Sequence, residues 1–251
     1  MSARPGGLEI DHRGVSDVVS YVLVFSLITA SVGVVTVVGF GAIDDRQAAE
    51  RVNNVERAFD VFAANMENVY RDGAPSRATE MRLAGGSLGL GDPVVITIEA
   101  SNGDNVTVSS NPLVYRDGDT EIVYSSGALL RSEGDSSVML RDPPFRTDTT
   151  TASFPIVDTY VSSGATTVSS DGPIRVSSAA RGVNTTVPSS FGSSGAYNVT
   201  VESSRSDAWE RYFDAQPNTN VRVHDSDRVV AEVTTAGIVA PRFPVRLRFS
   251  Q

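Results

Sequence analysis

The chain has 251 residues, of which 40% are hydrophobic, enough for one ordinary domain or two small ones beside a long helix. It contains no cysteine, which excludes disulfides, cysteine-ligated zinc, iron–sulfur clusters and thiol catalysis. Its 21 basic residues are all arginines and are outnumbered by 30 acidic residues, and the net charge of −9 argues against nucleic acid as a partner.

The chain opens with a short leader followed by a long apolar run. Residues 5–7, Pro-Gly-Gly, fall in a stretch without periodicity, which predicts a flexible cytoplasmic leader. No charged residue occurs in the 26 positions from Val18 to Ile43. This run is longer than the about 7–15 apolar residues of a secretory signal and than the about 20 that span a bilayer. We therefore predict a transmembrane helix over residues 15–43, with the lipid bilayer as its partner.

A helical pattern continues beyond the apolar run. Apolar residues recur at alternating steps of four and three, which is the a/d stripe of an amphipathic helix. The stripe consists of Ala48, Val52, Val55, Phe59, Phe62, Met66 and Val69. No proline occurs between Val15 and Ala74, and Gly73 followed by Pro75 ends the pattern. We predict one unbroken helix of roughly 55 residues, about 85 Å long, whose amphipathic part covers residues 44–72.

Charges around the apolar run predict its orientation. Arg4 and Arg13 precede the run and Arg46 follows it, so the excess of arginine favours a cytoplasmic N-terminus and an extracellular C-terminal domain. The part predicted to be extracellular contains three Asn-x-Ser/Thr sequons, which are candidate glycosylation sites. Their asparagines are Asn105, Asn184 and Asn198.

Residues 73–251 have the pattern of a β domain. Short runs of β-branched and apolar residues are separated by turn signals such as Asn102-Gly103. Within Val94–Glu99 and Val245–Phe249 apolar and polar residues alternate, as in antiparallel strands with one buried face. We predict an α+β chain in which the long helix is followed by a mainly antiparallel, sandwich-like β domain.

One short helix, near residues 206–216, interrupts the predicted strands. Ser206 or Asp207 is a candidate N-cap, and Glu210 lies three residues after Asp207, as in a capping box. Spacing of i, i+3 and i+4 places three aromatic side chains on one face of this helix. They are Trp209, Tyr212 and Phe213. We expect that face to pack in the core rather than to form a ligand platform.

The sequence offers weak signals for catalysis and for metal binding. His224 is close to Asp225 and Asp227, but one histidine beside two acids is a poor metal signature. The alternating acids of residues 117–121 lack the later ligands of a calcium loop, so we expect a hairpin turn there. There is no phosphate-binding loop and no Gly-x-Ser-x-Gly motif. We therefore expect the chain not to be an enzyme and to use no metal or cofactor.

The junction between the leader and the apolar helix resembles a known processing site. Arg13, Gly14, Val15 and Ser16, followed at once by the long apolar helix, are similar to the class III signal of archaeal type IV pilin-like proteins. The resemblance implies that a membrane prepilin peptidase removes residues 1–14 by cutting between Gly14 and Val15. It also implies that the apolar helix stays on the mature protein and packs against other pilin-like subunits.

The resemblance has further support and two departures. The stripe from Val52 to Val69 and the segment Arg77–Leu83 resemble haloarchaeal membrane proteins of pilin-like build, and an arginine-only, acidic composition fits a haloarchaeal surface. Many haloarchaeal pilins have proline where this chain has Asp17, and bacterial pilins have glutamate where it has Val19.

Two functions from different classes fit the sequence. The first is a pilin-like structural subunit of a surface filament or a related secretion apparatus. The β domain is bulky for a major pilin, which favours a minor subunit. The second is a membrane-anchored extracellular binding or adhesion domain that does not polymerise. Removal of residues 1–14 distinguishes the two, since only the first requires it.

Overall fold

A computed structural model describes residues 12–83, 85–170, 172–182, 184–185 and 195–251, with the backbone alone at 12–16, 37–45, 48 and 184–185. The chain divides into two compact units, Met1–Glu50 and Arg51–Gln251.

Two helices and a series of strands make up the described chain. The helices are α1 (His12–Tyr70) and α2 (Ser206–Asp214). The strands are β1 (Ser76–Arg82), β2 (Ser87–Leu90), β3 (Val94–Ala100), β4 (Asn105–Ser110), β5 (Leu113–Asp117), β6 (Thr120–Ser125), β7 (Ala128–Glu133), β8 (Ser136–Arg141), β9 (Arg146–Thr147), β10 (Ala152–Ser153), β11 (Ile156–Val161), β12 (Thr167–Val168), β13 (Pro173–Ala180), β14 (Asn184–Thr185), β15 (Gly195–Glu202), β16 (Thr219–Asp225), β17 (Arg228–Thr235), β18 (Ile238–Val239) and β19 (Pro241–Ser250).

Helix α1 begins with an apolar segment whose side chains are exposed. As predicted, the helix is unbroken from His12 to Tyr70. Its segment Asp17–Thr36 has a mean hydropathy of 2.3 and none of it is buried within the chain. Among the described residues this is the one helix long and apolar enough to cross a membrane. Its large apolar residues, such as Tyr21 and Leu27, are exposed by 70% and 69%.

The C-terminal part of α1 forms part of the core of the second unit. Six of the seven residues of the predicted stripe have described side chains, and all six are buried: Val52, Val55, Phe59, Phe62, Met66 and Val69. They pack in one cluster with strand residues that include Met81, Tyr124 and Leu247. The amphipathic continuation of the helix is therefore confirmed, and the β strands supply its partner.

The strands form four sheets. Sheet I has the order β1-β13-β19-β11, with β14 beside β19, and sheet II has the order β12-β2-β5-β6-β7-β8. Sheet III has the order β16-β17-β15-β3-β4, and the small sheet IV has the order β18-β10-β9. Neighbouring strands are antiparallel, except that β11 is parallel to β19 and β10 to β18.

The prediction of a sandwich-like domain is wrong, because the central strands of sheet II, β5 to β7, are buried on both faces. Tyr115 and Tyr124 of sheet II point to the cluster that contains α1. Val114 and Val123, their chain neighbours, point to a second cluster with sheet III and α2. The order is therefore helix, middle sheet, outer sheet, with sheet I also against α1. A strand buried on both faces has apolar residues at consecutive positions, which is the pattern of Leu113–Tyr115.

Helix α2 packs as predicted but begins differently. Trp209, Tyr212 and Phe213 are buried, and the helix ends at Asp214, two residues before the predicted end. Its N-cap is Arg205 and no side chain caps it, so the predicted capping box does not form. Contacts with other elements hold the first turn of α2 in place of the capping box, and the sequence alone does not predict these contacts.

Candidate functional site

The predicted cleavage site lies at the beginning of helix α1. The backbone of Arg13, Gly14, Val15 and Ser16 belongs to the first turns of the helix, and their side chains are outside the described residues. The structure therefore provides no test of cleavage, which stays a prediction. The leader up to residue 11 also lies outside the described part.

One polar side chain of the exposed apolar segment of α1, that of Ser31, is hydrogen-bonded within the helix. The hydroxyl of Ser31 donates to the carbonyl oxygens of Leu27 and Ile28, at 2.8 and 2.9 Å. A hydroxyl bonded within its own helix is compatible with an apolar surrounding that offers no water. Gly33 has nothing within 4 Å of the place where a Cβ would be, so no described side chain of this chain covers it.

A groove of about 720 Å³ lies at the C-terminal end of α1, within the second unit. One wall is formed by the rings of Tyr70 and Phe243, whose centroids are 5.4 Å apart at an angle of 52°. Pro144 and Pro155 add apolar surface, and Gly127 lies at the turn between β6 and β7. That turn is tight: φ of Gly127 is +90°, and a Cβ there would lie 2.4 Å from Pro144 Cδ.

A chain of ion pairs lines the other wall of the groove. Glu67 accepts hydrogen bonds from Arg71 at 2.6 Å and from Arg141 at 3.2 Å. Arg141 also donates to Asp60 at 2.9 Å, which ties α1 to β8. Arg131 on β7 adds a similar tie by donating to Glu56 at 3.0 Å. The hydrogen bond to Glu67 and its charge raise the pKa of Arg71.

Burial controls the ionisation of the tyrosines near this groove. Burial raises the pKa of Tyr70 to about 12, and the negative charge of Glu67 adds to the effect. Burial also raises the pKa of Tyr124 well above its ordinary value. The hydroxyl of Tyr124 is buried and has no hydrogen-bond partner among the described residues. Both phenols are therefore neutral at physiological pH.

His224 lies beside a serine and an aspartate, but not in the arrangement of a catalytic triad. Its Nε2 atom is 3.1 Å from Asp207 Oδ1 and 3.4 Å from Ser206 Oγ, so both partners meet the same ring nitrogen. In a triad the acid and the nucleophile meet opposite nitrogens. Ser206 Oγ donates instead to the carbonyl oxygen of Asp225 at 2.7 Å. These contacts attach the first turn of α2 to β16.

The acids of residues 117–121 lie at the hairpin turn between β5 and β6, as predicted. Glu121 accepts a hydrogen bond from Arg116 at 2.7 Å and also pairs with Arg205. Within the described ranges no group of three or more histidine or acidic side chains is placed to hold a metal ion.

Two of the three sequons share one face of sheet III. Asn105 on β4 and Asn198 on β15 are exposed, and each is paired in register with Glu99 on the strand between them. Two strand spacings separate them, about 10 Å. Asn184 lies on β14, and its side chain is outside the described residues. Sequence reasoning found the sequons but not their alignment, which depends on strand register.

Sequence reasoning did not find the groove. Tyr70, Arg141, Pro155 and Phe243 come from the end of α1, from β8, from the residue before β11 and from β19. No local motif joins these positions. The one local signal for the groove was Tyr70, the aromatic residue directly after the buried stripe of α1.

Comparison with known proteins gives one family match. No curated protein and no solved structure matches the chain. A family profile described as "Family of unknown function (DUF7289)" matches residues 13–248, nearly the whole chain. The match begins at the arginine of the candidate processing motif and includes both helices and all the sheets. The chain therefore belongs to the Family of unknown function (DUF7289).

Proposed function

We propose that this protein is a pilin-like structural subunit, of the minor kind, in an archaeal type IV pilus or a related surface filament or secretion apparatus. The observation that carries the proposal is the division of helix α1 into two environments. Its segment Asp17–Thr36 is apolar and unburied, whereas the stripe residues between Val52 and Val69 are core residues of the β domain. A plain membrane anchor needs the first property but not the second.

The proposed mechanism is cleavage followed by assembly. A prepilin peptidase cuts after Gly14 and frees Val15 as the new N-terminus. The apolar part of α1 then leaves the bilayer and packs against the corresponding helices of other pilin-like subunits. Lipid tails are as apolar as these side chains, so close van der Waals packing between the helices has to drive this step. Outside the bilayer, the neighbouring helices keep the apolar side chains away from water. The β domain, with Asn105 and Asn198 on its surface, faces the cell exterior.

The groove at the end of α1 favours a second candidate, which is a membrane-anchored extracellular binding or adhesion domain that does not polymerise. A cavity of about 720 Å³ with aromatic and charged walls has the size and composition of a small-molecule site. In this case α1 remains in the bilayer as a single-pass anchor. Neither candidate requires a catalytic centre, a metal or a cofactor.

Cleavage at Gly14 separates the two candidates. Gly14 has no side chain, so the backbone can lie close to a catalytic centre, and a β-branched residue blocks that approach. We expect Gly14→Val to leave membrane insertion intact and to keep residues 1–14 on the protein. Gly7→Val, also a glycine-to-valine change within the leader, is the matched control and should be processed normally.

The measurement is intact-protein mass spectrometry of chain purified from its own cells. The proposal expects the wild type and Gly7→Val to begin at Val15, and Gly14→Val to retain the leader. Wild-type protein that keeps Ser2 to Gly14 would reject the pilin-like role and leave the anchored binding domain as the function.

A further inference from the structure

We infer that the groove at the C-terminal end of α1 is a binding site for a neutral saccharide unit, a mono- or disaccharide in size. The inference concerns the second unit alone and does not depend on cleavage or filament assembly. It rests on three features of the groove: an aromatic wall, a balanced set of charges, and a fixed floor.

The aromatic wall suits the C–H face of a sugar ring. Tyr70 and Phe243 are only partly buried and contact each other with centroids 5.4 Å apart, so they present a continuous apolar surface. Pro144 and Pro155 extend this surface without adding hydrogen-bond donors. Tyr70 also has a neutral hydroxyl that can donate and accept hydrogen bonds. Amphipathic aromatic side chains of this kind suit a ligand that is apolar on one face and polar at its edges.

The charges around the groove cancel, which disfavours an ionic ligand. Three guanidinium groups, of Arg71, Arg141 and Arg146, line the groove with two carboxylates, of Glu67 and Asp142. A third carboxylate, of Asp60, lies outside the lining and is bonded to Arg141. The pairs Arg71–Glu67 and Arg141–Glu67 are closed at 2.6 and 3.2 Å. In the described lining, one cation, Arg146, and one acid, Asp142, remain outside these ion pairs, so neither sign is in excess among the unpaired groups. An anion site would need an excess of cations, and a cation site an excess of acids.

The same groups keep spare hydrogen-bonding capacity. A guanidinium has five N–H donors, and a carboxylate has about four acceptor positions, more than the ion pairs use. Arg146 and Asp142 are exposed on the groove and have no ion-pair partner within the described part of the chain. They offer one donor group and one acceptor group at the rim. A hydroxyl both donates and accepts, so a polyhydroxyl ligand can use the two together.

The floor of the groove is held in place before a ligand arrives. Gly127 has φ of +90° and fits directly against Pro144, where a Cβ would have no room. Phe145, the next residue, is 7% exposed and packs on Phe154 and Trp209 with centroids 5.1 and 6.1 Å apart. A site that is ordered in advance loses less entropy on binding.

The test is saccharide binding by the full chain in phospholipid nanodiscs, which avoid detergents with sugar headgroups. The neutral probes are the methyl glycosides of glucose, galactose and mannose, and N-acetylglucosamine. The comparison probes are glucuronic acid, glucosamine and a proline-rich peptide. Saturation-transfer NMR detects contact, and titration gives the relative affinity. We expect at least one neutral saccharide to bind, with the strongest transfer to its ring C–H protons.

Variants locate the binding in the groove. Tyr70→Leu keeps an apolar side chain but removes the flat ring, and should weaken binding about tenfold. Arg146→Gln should weaken it by a smaller factor. Tyr160→Leu changes a partly buried tyrosine of β11 that does not line the groove, and should leave affinity unchanged. Phe243→Leu serves as the second aromatic variant if Tyr70→Leu does not fold.

Three results would overturn the inference. The first is that no neutral saccharide binds the wild type. The second is that a charged sugar or the proline-rich peptide binds and the neutral saccharides do not. The third is that a neutral saccharide binds equally well to the folded Tyr70→Leu or Phe243→Leu variant.

Discussion

Phe59 and Val61 are two positions apart on α1 and have opposite surroundings. Phe59 is fully buried among the strands, whereas Val61 is 55% exposed. We expect Phe59→Asp to unfold the β domain. Loss of the ring alone costs about 3–5 kcal/mol, and the unpaired buried carboxylate adds to that cost. The sum is comparable to the whole stability of an ordinary domain, about 5–15 kcal/mol.

Val61→Asp is the matched control for this substitution. It places the same side chain on the same helix, but in water, and should change the free energy of unfolding by no more than about 0.5 kcal/mol. Limited proteolysis and thermal unfolding measure the stability of both variants. Equal protease resistance of Phe59→Asp and the wild type would mean that the stripe of α1 is not docked as described.

Buried tyrosines predict a loss of stability at alkaline pH. Burial raises the pKa of Tyr70 and of Tyr115 to about 12, from the ordinary value of 10. Burial also raises the pKa values of Tyr124 and Tyr212. A raised folded-state pKa means that the unfolded chain loses its proton first. Stability is therefore fully present below about pH 10 and declines as the pH rises towards about 12.

Chemical unfolding at about pH 9 and about pH 11 measures this decline. The tyrosinate absorbance of the folded protein should also titrate above the range of the unfolded chain. Tyr70→Phe removes one of the ionising groups and should lessen the alkaline decline. An unfolding free energy that stays constant over this interval would show that the phenols are not buried as described.

At the scale of elements, residues 51–70 of α1 belong to the β domain more than to the apolar segment. Each large buried side chain in this part, such as Phe62 or Met66, contributes about 1.5–3 kcal/mol. We expect a fragment of residues 46–251 to fold by itself, since it keeps the whole buried stripe with described side chains. A fragment of residues 72–251 lacks the stripe and should not fold.

Circular dichroism and thermal unfolding distinguish the two fragments. A synthetic peptide of residues 51–71, added to the shorter fragment, should restore a cooperative transition if the missing helix is the only deficit. A cooperative transition of residues 72–251 without the peptide would contradict the role of α1 as part of the core of the second unit.

The strands show which elements local sequence can predict. The alternation within Val94–Glu99 predicts a strand with one buried face, and β3 covers this segment and ends one residue later, at Ala100. β2, Ser87–Leu90, was not predicted, since Gly89 interrupts its apolar pattern and its pairing with β5 is decided by the partner. The same holds for the two-residue strands β10 and β18, which pair with each other, while β10 also pairs with β9. Such elements are stabilised by contacts with residues that are distant in the sequence, so a local pattern does not predict them.

At the scale of the whole molecule, the sequence predicted the components but not their layers. The helix, the antiparallel strands and α2 were all foreseen, whereas a middle sheet with two buried faces was not. The run of apolar residues Leu113–Tyr115 is the sequence pattern of this middle sheet, since neighbouring side chains of the strand pack in different hydrophobic clusters. The groove could not be predicted either, because it exists only where α1, β8 and β19 meet.

The orientation of the chain across the membrane is a whole-molecule prediction that the absence of cysteine makes easy to test. With no native cysteine, a single introduced thiol is the only site for a maleimide on this protein. Asp119 lies exposed in the β5–β6 turn, so Asp119→Cys should not disturb the fold. If the β domain is extracellular, a membrane-impermeant maleimide should label this variant on intact cells.

The opposite end of the chain supplies the matched control. Ser2→Cys, combined with Gly14→Val so that the leader is retained, should be labelled only after the cells are lysed. In the proposed orientation Arg4 and Arg13 keep that end at the cytoplasmic face, since moving charged arginines across the hydrocarbon is costly. Labelling of residue 119 only after lysis would reverse the orientation. The exposed sequons at Asn105 and Asn198 would then face the cytoplasm, and a surface filament could not be built from this chain.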